Sequence, residues 1–435
     1  EILLSGRELP FIPSINSRVA TGDVVVLEAN DLAFDVTEVA DALALGGRPD
    51  LVPSEVLGRT GGWPVGVMAT VADGSSCGEG LSAVAFDAYL ATEVWQKVPS
   101  ELKPVLQRLS VRPTIERALV EMDFGVAAWR QLVGWLSPRD FLWETLSPSE
   151  FRLNPLLKEH IAREYDQQDP EGYSAAVDSV AAELVAAGDI SGAVEFARTA
   201  GSEQQLATLL ERHSHLLIMQ GSLTLLRRSF DCMSQVTLQR RPVLRALYAR
   251  VLSHVGDPEE AIRKGDKIIA DECAPLEARA HSLMARMRSL RLLGRHAELT
   301  ETAAELDRLD TSGHPVLACE TVYQRAEVEL SVTRNFARAT ELLELAIDRA
   351  ESEGIEPLGL LARSTLGQAL AMRGDAPAAV TVLTRAAQGW RGLGRSSNLG
   401  WVLNNLGMGH LDAGDFSSAR SVLQEAVEEG INCGN

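Results

Sequence analysis

The sequence is poor in lysine, cysteine and aromatic residues, and it has no long apolar run. Only five of its 41 basic residues are lysines, against 60 acidic residues, so the formal charge of the 435-residue chain is −19. A chain this acidic is not expected to bind nucleic acid unaided, because phosphate contacts need a basic face. No apolar run approaches about 20 residues, which excludes a membrane-spanning helix.

The cysteines are too few and too scattered to form a structural framework. Their number is odd and no CxxC pair occurs, which argues against disulfides and a zinc site, and we expect no metal. The five are Cys77, Cys232, Cys273, Cys319 and Cys433. No secretory signal is recognisable, so we expect a cytoplasmic protein. Because the chain starts at Glu1 within an apolar, strand-like run, we interpret it as the middle of a longer protein.

The first 168 residues predict a small mixed region followed by helices and a hairpin. The apolar runs Ile2–Leu4 and Val24–Leu27 are typical of short strands, and Asp35 or Thr37 is placed to cap a helix over 37–45. A second helix start is expected at Pro53. Two short strands around 141–144 and 151–153, followed by a helix from Pro155, suggest a winged-helix module. We therefore expect domains at 1–80 and 81–168.

Beyond residue 168 a repeat dominates the sequence. A turn-forming pair followed by a helix recurs at intervals of 33, 35, 38, 40, 40 and 40 residues. The pairs are Gly188-Asp189, Gly221-Ser222, Gly256-Asp257, Gly294-Arg295, Arg334-Asn335, Gly374-Asp375 and Gly414-Asp415. No single helix pair can bury its own apolar face, so the units must stack. Residues 169–435 therefore predict a superhelix of helical hairpins in a mainly α protein.

Small and large apolar residues recur in register in the last three units. Small residues allow paired helices to approach closely, and leucines fill the space between pairs. The aligned sets are Ala326, Leu366 and Leu406; Ala339, Ala379 and Ala419; Leu343, Leu383 and Leu423; and Ala346, Ala386 and Ala426. The units resemble tetratricopeptide repeats, with Leu366-Gly367 and Leu406-Gly407 at that family's Leu-Gly positions. The resemblance implies a right-handed superhelix, although the 40-residue spacing exceeds the family's usual length of about 34.

Four motifs follow one another in a fixed order: Leu3-Leu4-Ser5-Gly6-Arg7-Glu8-Leu9-Pro10, Leu27–Asp35, Thr60-Gly61-Gly62-Trp63-Pro64-Val65-Gly66-Val67, and Phe151-Arg152-Leu153-Asn154-Pro155-Leu156-Leu157. Together they resemble those of the MalT-like transcriptional activators, large LuxR-type members of the STAND NTPases. The resemblance covers about residues 1–165. It implies a nucleotide-binding domain with a helical subdomain, then a winged helix and a repeat superhelix. DNA binding would come from a helix-turn-helix outside this chain.

The resemblance also implies an ATP or ADP site. Arg7 would contact the γ-phosphate, and Pro64 with Trp63 would pack on the adenine. Asn154 stands where the family usually has a histidine that touches the β-phosphate of ADP. Each residue has a plainer interpretation: a surface charge for Arg7, a tight turn with a core tryptophan for Trp63, and a helix cap before Pro155 for Asn154, which we favour. No GxxxxGK(S/T) occurs, so the site is incomplete in this chain.

A second set of candidate residues follows from the concave surface that such superhelices present. By the repeat family's register, that groove would contain Gln324, Ser364, Gln368, Trp401 and Asn404. One aromatic ring among amides and a hydroxyl suits a sugar, a peptide or another polar molecule. The alternative, favoured for any single residue, is that Trp401 packs on its neighbour and the amides bind water.

Two functions from different classes follow. The first is the sensor and regulatory portion of an ATP-dependent transcriptional activator, whose superhelix binds a small-molecule inducer or a protein partner and controls a nucleotide switch. The alternative is a protein-interaction scaffold without nucleotide or DNA chemistry. No set of catalytic residues indicates a metabolic enzyme, so at most a slow ATPase switch is expected in the full-length protein. Self-association is compatible with both.

Overall fold

The computed structural model describes residues 15–25, 27, 29–72, 87–137, 139–200, 203–393 and 397–432. The fold is mostly helical, as predicted, and the chain divides into two compact units at Val180/Ala181. The predicted boundary at residue 168 falls between two consecutive helices, Pro155–Gln168 and Pro170–Ala186. In the described parts of the chain, no helix is both long and apolar enough to cross a membrane.

The first unit consists of short helices around one small sheet. Its α-helices are α1 (Ile15–Ala20), α2 (Val36–Leu45), α3 (Pro53–Thr60), α4 (Pro64–Ala72), α5 (Lys103–Ser110), α6 (Arg117–Phe124), α7 (Val126–Leu136), α8 (Pro155–Gln168) and the part of α9 (Pro170–Ala186) that precedes Ala181. Single turns of 3-10 or π helix occur at Ala29–Leu32, Leu90–Val94, Trp95–Lys97 and Asp140–Leu142. The strands are β1 (Ile115–Glu116), β2 (Trp143–Ser147) and β3 (Glu150–Leu153).

The predicted helix starts in this unit are confirmed. Asp35 is the N-cap of α2, and its carboxylate accepts hydrogen bonds from the backbone N–H groups of Thr37 and Glu38 at 2.8 and 2.9 Å. Glu38 accepts in return from the Asp35 N–H at 3.0 Å, which completes a capping box. Helix α3 begins at Pro53, in the first-turn position where proline needs no N–H partner.

The predicted hairpin is also present. Strands β2 and β3 pair antiparallel, and β1 pairs with the other edge of β3, giving the order β1-β3-β2. Phe151 is the central residue, opposite Ile115 on one side and Thr145 on the other, and it is 1% exposed. Because β3 leads through Asn154 directly into α8, the sheet fixes where that helix begins.

The strand predicted at Val24–Leu27 is wrong for the residues described there. Val24, Val25 and Leu27 have no regular secondary structure, and Val25 is 81% exposed. The Val24 N–H donates to the carbonyl oxygen of Arg18 at 3.2 Å, in the turn that ends α1. A run of apolar residues becomes a strand only when a second strand pairs with it. The strand predicted at Ile2–Leu4 lies outside the described residues.

The second unit is a stack of helix pairs, a tetratricopeptide-like superhelix as predicted. Its α-helices are α10 (Ile190–Thr199), α11 (Glu203–Gln220), α12 (Leu223–Asp231), α13 (Gln235–Arg240), α14 (Pro242–His254), α15 (Pro258–Ile269), α16 (Leu276–Leu292), α17 (His296–Asp307), α18 (Pro315–Val328), α19 (Phe336–Ser352), α20 (Glu356–Met372), α21 (Ala376–Gly392), α22 (Ser397–Asp412) and α23 (Phe416–Asn432). A π-helical turn at Glu329–Thr333 follows α18.

The seven turn pairs read from the sequence all occur at the ends of helices. The first residue of every pair has a positive φ, between 52° at Arg334 and 89° at Gly256 and Gly374. This left-handed conformation suits glycine because glycine has no Cβ to collide with the following carbonyl. Arg334 adopts it without that advantage, after the π-helical turn.

The predicted register is confirmed in the core. Ala339, Ala379 and Ala419 are at most 1% exposed, and Leu343 and Leu383 are completely buried. A Cβ on Gly367 would lie 2.4 Å from Leu383 Cγ, and one on Gly407 would lie 2.5 Å from Leu423 Cγ. The glycine of each Leu-Gly pair therefore lets a leucine of the following helix pack against the backbone.

Candidate functional site

A cavity of about 380 Å³ lies inside the second unit. Its walls come mainly from α14, α16, α18, α20 and α22, the first helices of consecutive pairs. The C-terminal end of α11 also lines it: Met219 is part of the wall, and its carbonyl oxygen accepts a hydrogen bond from Asn398 at the start of α22. Helix α11 also contacts α20. The stack therefore curves until α11, near its start, meets α20 and α22, near its end, beside the cavity.

Three of the five predicted groove residues line this cavity: Gln324, Gln368 and Trp401. Trp401 keeps 37% of its surface exposed. Ser364 is instead completely buried, donates to the Leu360 carbonyl oxygen at 2.7 Å and accepts from Trp390 Nε1 at 3.3 Å. Asn404 is exposed and is not among the residues that line the cavity.

The charged residues of the cavity could not be recognised from the repeat register. Arg250 on α14, Arg288 and Arg291 on α16, and Glu320 and Glu327 on α18 all line it. A periodic signal was present, because Glu320, Gln324 and Glu327 follow the i, i+4, i+7 spacing of one helix face. Such a polar face ordinarily contacts solvent, and here the curvature of the stack turns it inward.

Arg250 and Glu320 form a buried ion pair between α14 and α18. The guanidinium donates to both carboxylate oxygens, at 3.0 and 2.9 Å, and the two residues are 5% and 2% exposed. Burial by itself raises the pKa of Glu320, but the charge and hydrogen bonds of Arg250 outweigh it and hold the pKa below its ordinary value. The carboxylate is therefore ionised at neutral pH, and the pair joins two non-adjacent repeats.

His281 on α16 completes this cluster. Its Nδ1 lies 3.0 Å from an Arg250 nitrogen, and Glu277 is 3.8 Å from its Nε2. Arg250 has only hydrogens to offer, so Nδ1 must accept and the proton of the neutral ring belongs on Nε2. Burial, and next to it the Arg250 charge, lower the pKa of His281 although Glu277 acts in the opposite direction. The ring is therefore neutral at pH 7.

A second ion pair lies in the adjacent part of the cavity wall. Arg291 forms a salt bridge with Glu327, whose carboxylate also accepts from the Tyr323 hydroxyl at 3.2 Å. The same hydroxyl lies 3.2 Å from Thr365 Oγ1 on α20. Burial, together with the Glu327 charge, raises the pKa of Tyr323, so the phenol stays protonated. Polar contacts thus connect α16, α18 and α20.

The nucleotide-contacting residues implied by the family resemblance belong to the first unit. Arg7 lies outside the described residues. Trp63 and Pro64 are half-buried, and the Trp63 ring centroid lies 5.0 Å from that of Phe141 and 6.1 Å from that of Tyr89. Trp63 therefore packs within an aromatic cluster, and Pro64 is the first residue of α4.

Asn154 lies beside the turn at Thr60–Trp63, although it is far from that turn in sequence. Its Nδ2 donates to the Thr60 carbonyl oxygen at 3.0 Å, and its Oδ1 accepts from the Leu156 N–H at 3.0 Å. The helix-cap role predicted for Asn154 is confirmed. The side chain also ties the start of α8 to the end of α3, so the turn motif and the segment 151–157 meet.

No arrangement of metal ligands accompanies either site. Across the described ranges, no three His, Cys, Asp or Glu side chains are grouped so that they could hold a metal ion. Cys232, Cys273 and Cys319 are free thiols, the first two exposed and the third buried.

Comparison with protein families identifies tetratricopeptide repeats at residues 360–428 and 242–263. No curated protein matches the chain. Among solved structures, the chain is similar to a signal transduction ATPase with numerous domains (STAND) with a tetratricopeptide repeat sensor, from Pyrococcus horikoshii. That match has a TM-score of 0.58 at 14% identity and covers 93% of this chain and 61% of the other. The chain thus spans less than two thirds of that protein.

Two further matches are confined to part of the chain. Kinesin light chain repeats from Podosopora anserina match with a TM-score of 0.35 at 18% identity over 44% of this chain and 96% of theirs. BtubC from P. vanneervenii matches with a TM-score of 0.37 at 16% identity over 52% of this chain and 92% of its own. The family models show that the chain contains tetratricopeptide repeats, and the match to the STAND protein shows a similar fold.

Proposed function

We propose that this chain is the sensor and regulatory portion of an ATP-dependent transcriptional activator of the MalT-like, LuxR-family type. The observation that carries the proposal is the cavity of the second unit in a chain whose fold matches a STAND ATPase with a repeat sensor over 93% of its length. An inducer or a partner protein binds in the cavity. The bound state then biases a nucleotide switch to which the first unit contributes.

Coupling of this kind requires the ligand to bind one conformation better than the other. The polar contacts around the cavity can make ligand binding depend on conformation, because they connect helices of several repeats. A ligand that rearranges Arg291, Glu327 or Tyr323 changes contacts on α16, α18 and α20 together. Small changes at the cavity are thereby transmitted along the stack.

The nucleotide side of the proposal assigns ATP or ADP to Arg7, Trp63, Pro64 and Asn154, with the phosphate-binding loop supplied from outside this chain. The first unit after residue 80 serves as the winged-helix module. DNA binding belongs to a separate module, hydrolysis serves as a slow switch, and the protein acts in the cytoplasm. The meeting of the Thr60–Trp63 turn with Asn154 supports this assignment, because two of the four motifs converge.

The test is the variant Arg7→Ala in the full-length protein. It should weaken the ATP dependence of reporter activation while circular dichroism and the thermal unfolding midpoint of the superhelix stay unchanged. ATP dependence equal to that of the unmodified protein removes Arg7 from the switch.

One observation favours the alternative, an interaction scaffold without nucleotide chemistry. Both polar side-chain atoms of Asn154 are engaged in local hydrogen bonds, and Trp63 is packed against Phe141. Asn154 and Trp63 therefore have structural roles that do not require a nucleotide. Equilibrium dialysis of the full-length protein against ATP separates the two functions, because a scaffold retains no nucleotide.

A further inference from the structure

The arginines of the cavity are not equally neutralised. Arg250 is paired with Glu320 and Arg291 with Glu327. Arg288 lies near both pairs, and among the described residues it makes one hydrogen bond, a donation from Nε to the Ser253 carbonyl oxygen at 3.3 Å. Among the described residues, no carboxylate lies within ion-pair distance of Arg288.

The cavity is therefore cationic inside a strongly acidic chain. Its lining contains three arginines and two glutamates, and its remaining ionisable groups, His254 and Tyr323, are uncharged at neutral pH. Burial, and next to it the charges of Arg288, Arg250 and Arg291, lower the pKa of His254 well below its ordinary value. The cavity walls carry one unbalanced positive charge, while the chain as a whole carries −19.

The unbalanced charge is costly in these surroundings. Burial, together with the nearby Arg291 charge, lowers the pKa of Arg288, which shows that the surroundings disfavour its charged form. A guanidinium nevertheless stays protonated at neutral pH. An anion that enters the cavity removes this penalty, and a carboxylate or phosphate matches the planar fork of donors.

The rest of the cavity limits the size and shape of the anion. A volume of about 380 Å³ lies in the range of small-molecule sites, which is roughly 300–1,000 Å³. Trp401 presents an accessible indole, and Gln324 and Gln368 add amide donors and acceptors. This set suits a molecule with a flat body and a few polar substituents.

We propose that the cavity binds a small anionic molecule, with its carboxylate or phosphate group on Arg288 and a planar body against Trp401. The inference rests on the proposed sensor function and adds the chemical class of the inducer. It predicts that binding depends on the charge of Arg288 more than on any other single group in the cavity.

The test is calorimetric titration of the 435-residue chain with phenyl phosphate and benzoate, and with benzyl alcohol as the neutral probe of similar shape. The two anions should bind at millimolar concentrations, as expected for probes this small, and raise the thermal midpoint. Arg288→Gln should weaken their binding about tenfold or more, since it removes a charge-assisted hydrogen bond. Arg288→Lys should retain part of it.

The matched control is Arg286→Gln on the same helix, where the guanidinium lies 3.5 Å from Asp266 and does not line the cavity. It should bind the anions as the unmodified chain does. Equal binding of benzyl alcohol and the anions, unchanged in Arg288→Gln, overturns the anion proposal but leaves a small-molecule sensor. Failure of both anions to bind the unmodified chain also overturns it, whereas the nucleotide switch is judged separately by Arg7→Ala.

Discussion

Replacement of Glu320 by alanine leaves the Arg250 guanidinium as an uncompensated charge inside the superhelix. The two residues are 2% and 5% exposed and share two hydrogen bonds of 2.9 and 3.0 Å, so the guanidinium loses both bonds and its counter-charge together. Removal of one partner of a buried pair costs about 3–5 kcal/mol. We expect Glu320→Ala to reduce the free energy of unfolding of this part of the superhelix by that amount.

Native-state hydrogen exchange is the appropriate assay, because a repeat stack opens locally and does not unfold as one unit. The opening free energy should fall for amides of α14 and α18, which the pair joins. The double variant Arg250→Met with Glu320→Leu should recover most of the loss, since an apolar pair of similar volume is often neutral or stabilising.

The control is Glu425→Ala, which breaks a pair of the same geometry on the surface. Arg391 donates to both oxygens of Glu425 at 2.9 and 2.8 Å, but the side chains are 42% and 41% exposed. Exposed pairs contribute at most about 1 kcal/mol. Equal losses in Glu320→Ala and Glu425→Ala would refute the argument that burial makes the Arg250–Glu320 pair important.

Three further predictions concern the repeats. Gly367→Ala should lower the free energy of unfolding, measured in urea, by a net value of about 1 kcal/mol, because the added methyl group collides with Leu383. The control Gly392→Ala places its methyl group in open space and should not lower it. Arg334→Gly should stabilise the chain by up to about 1 kcal/mol by relieving a positive φ of 52°, and an unchanged unfolding midpoint would contradict this. Because the pKa of His281 is lowered on folding, its contribution to stability is present above the unfolded pKa of about 6.5 and is lost as the pH falls below it. His281→Gln should make the free energy of unfolding fall less steeply as the pH drops below about 6.5, and an equally steep loss in the variant would exclude His281 as its source.

The repeats could be predicted because two local requirements leave a periodic trace. Each pair of helices needs a turn residue that tolerates positive φ, and six of the seven turn pairs, from Gly188 to Gly414, have a glycine at this position. Each interface needs a small residue opposite a leucine, which fixed the register of Gly367 with Leu383. Both depend on residues within one repeat, so they are visible without the fold.

The cavity could be predicted only in part, because its walls combine residues from many repeats. Gln324, Gln368 and Trp401 follow from register alone. Arg250 and Glu320 meet only because α14 and α18 are brought together by the curvature of the stack, and no local pattern encodes that curvature. The prediction that Ser364 lines the groove failed for a related reason. Its hydroxyl accepts a hydrogen bond from the buried Trp390, a contact that the groove register does not reveal.

The most direct test of the account compares a cavity-filling substitution with one outside the cavity on the same helix. Gln368→Trp occupies the cavity, whereas Met372→Trp replaces a residue that is 48% exposed at the end of α20 and does not line it. The measurement is the ratio of ATP to ADP retained by the full-length protein after rapid desalting. The account predicts that Gln368→Trp changes this ratio and abolishes its response to phenyl phosphate, and that Met372→Trp does neither. The same ratio and response in both variants would contradict a sensor that acts through this cavity.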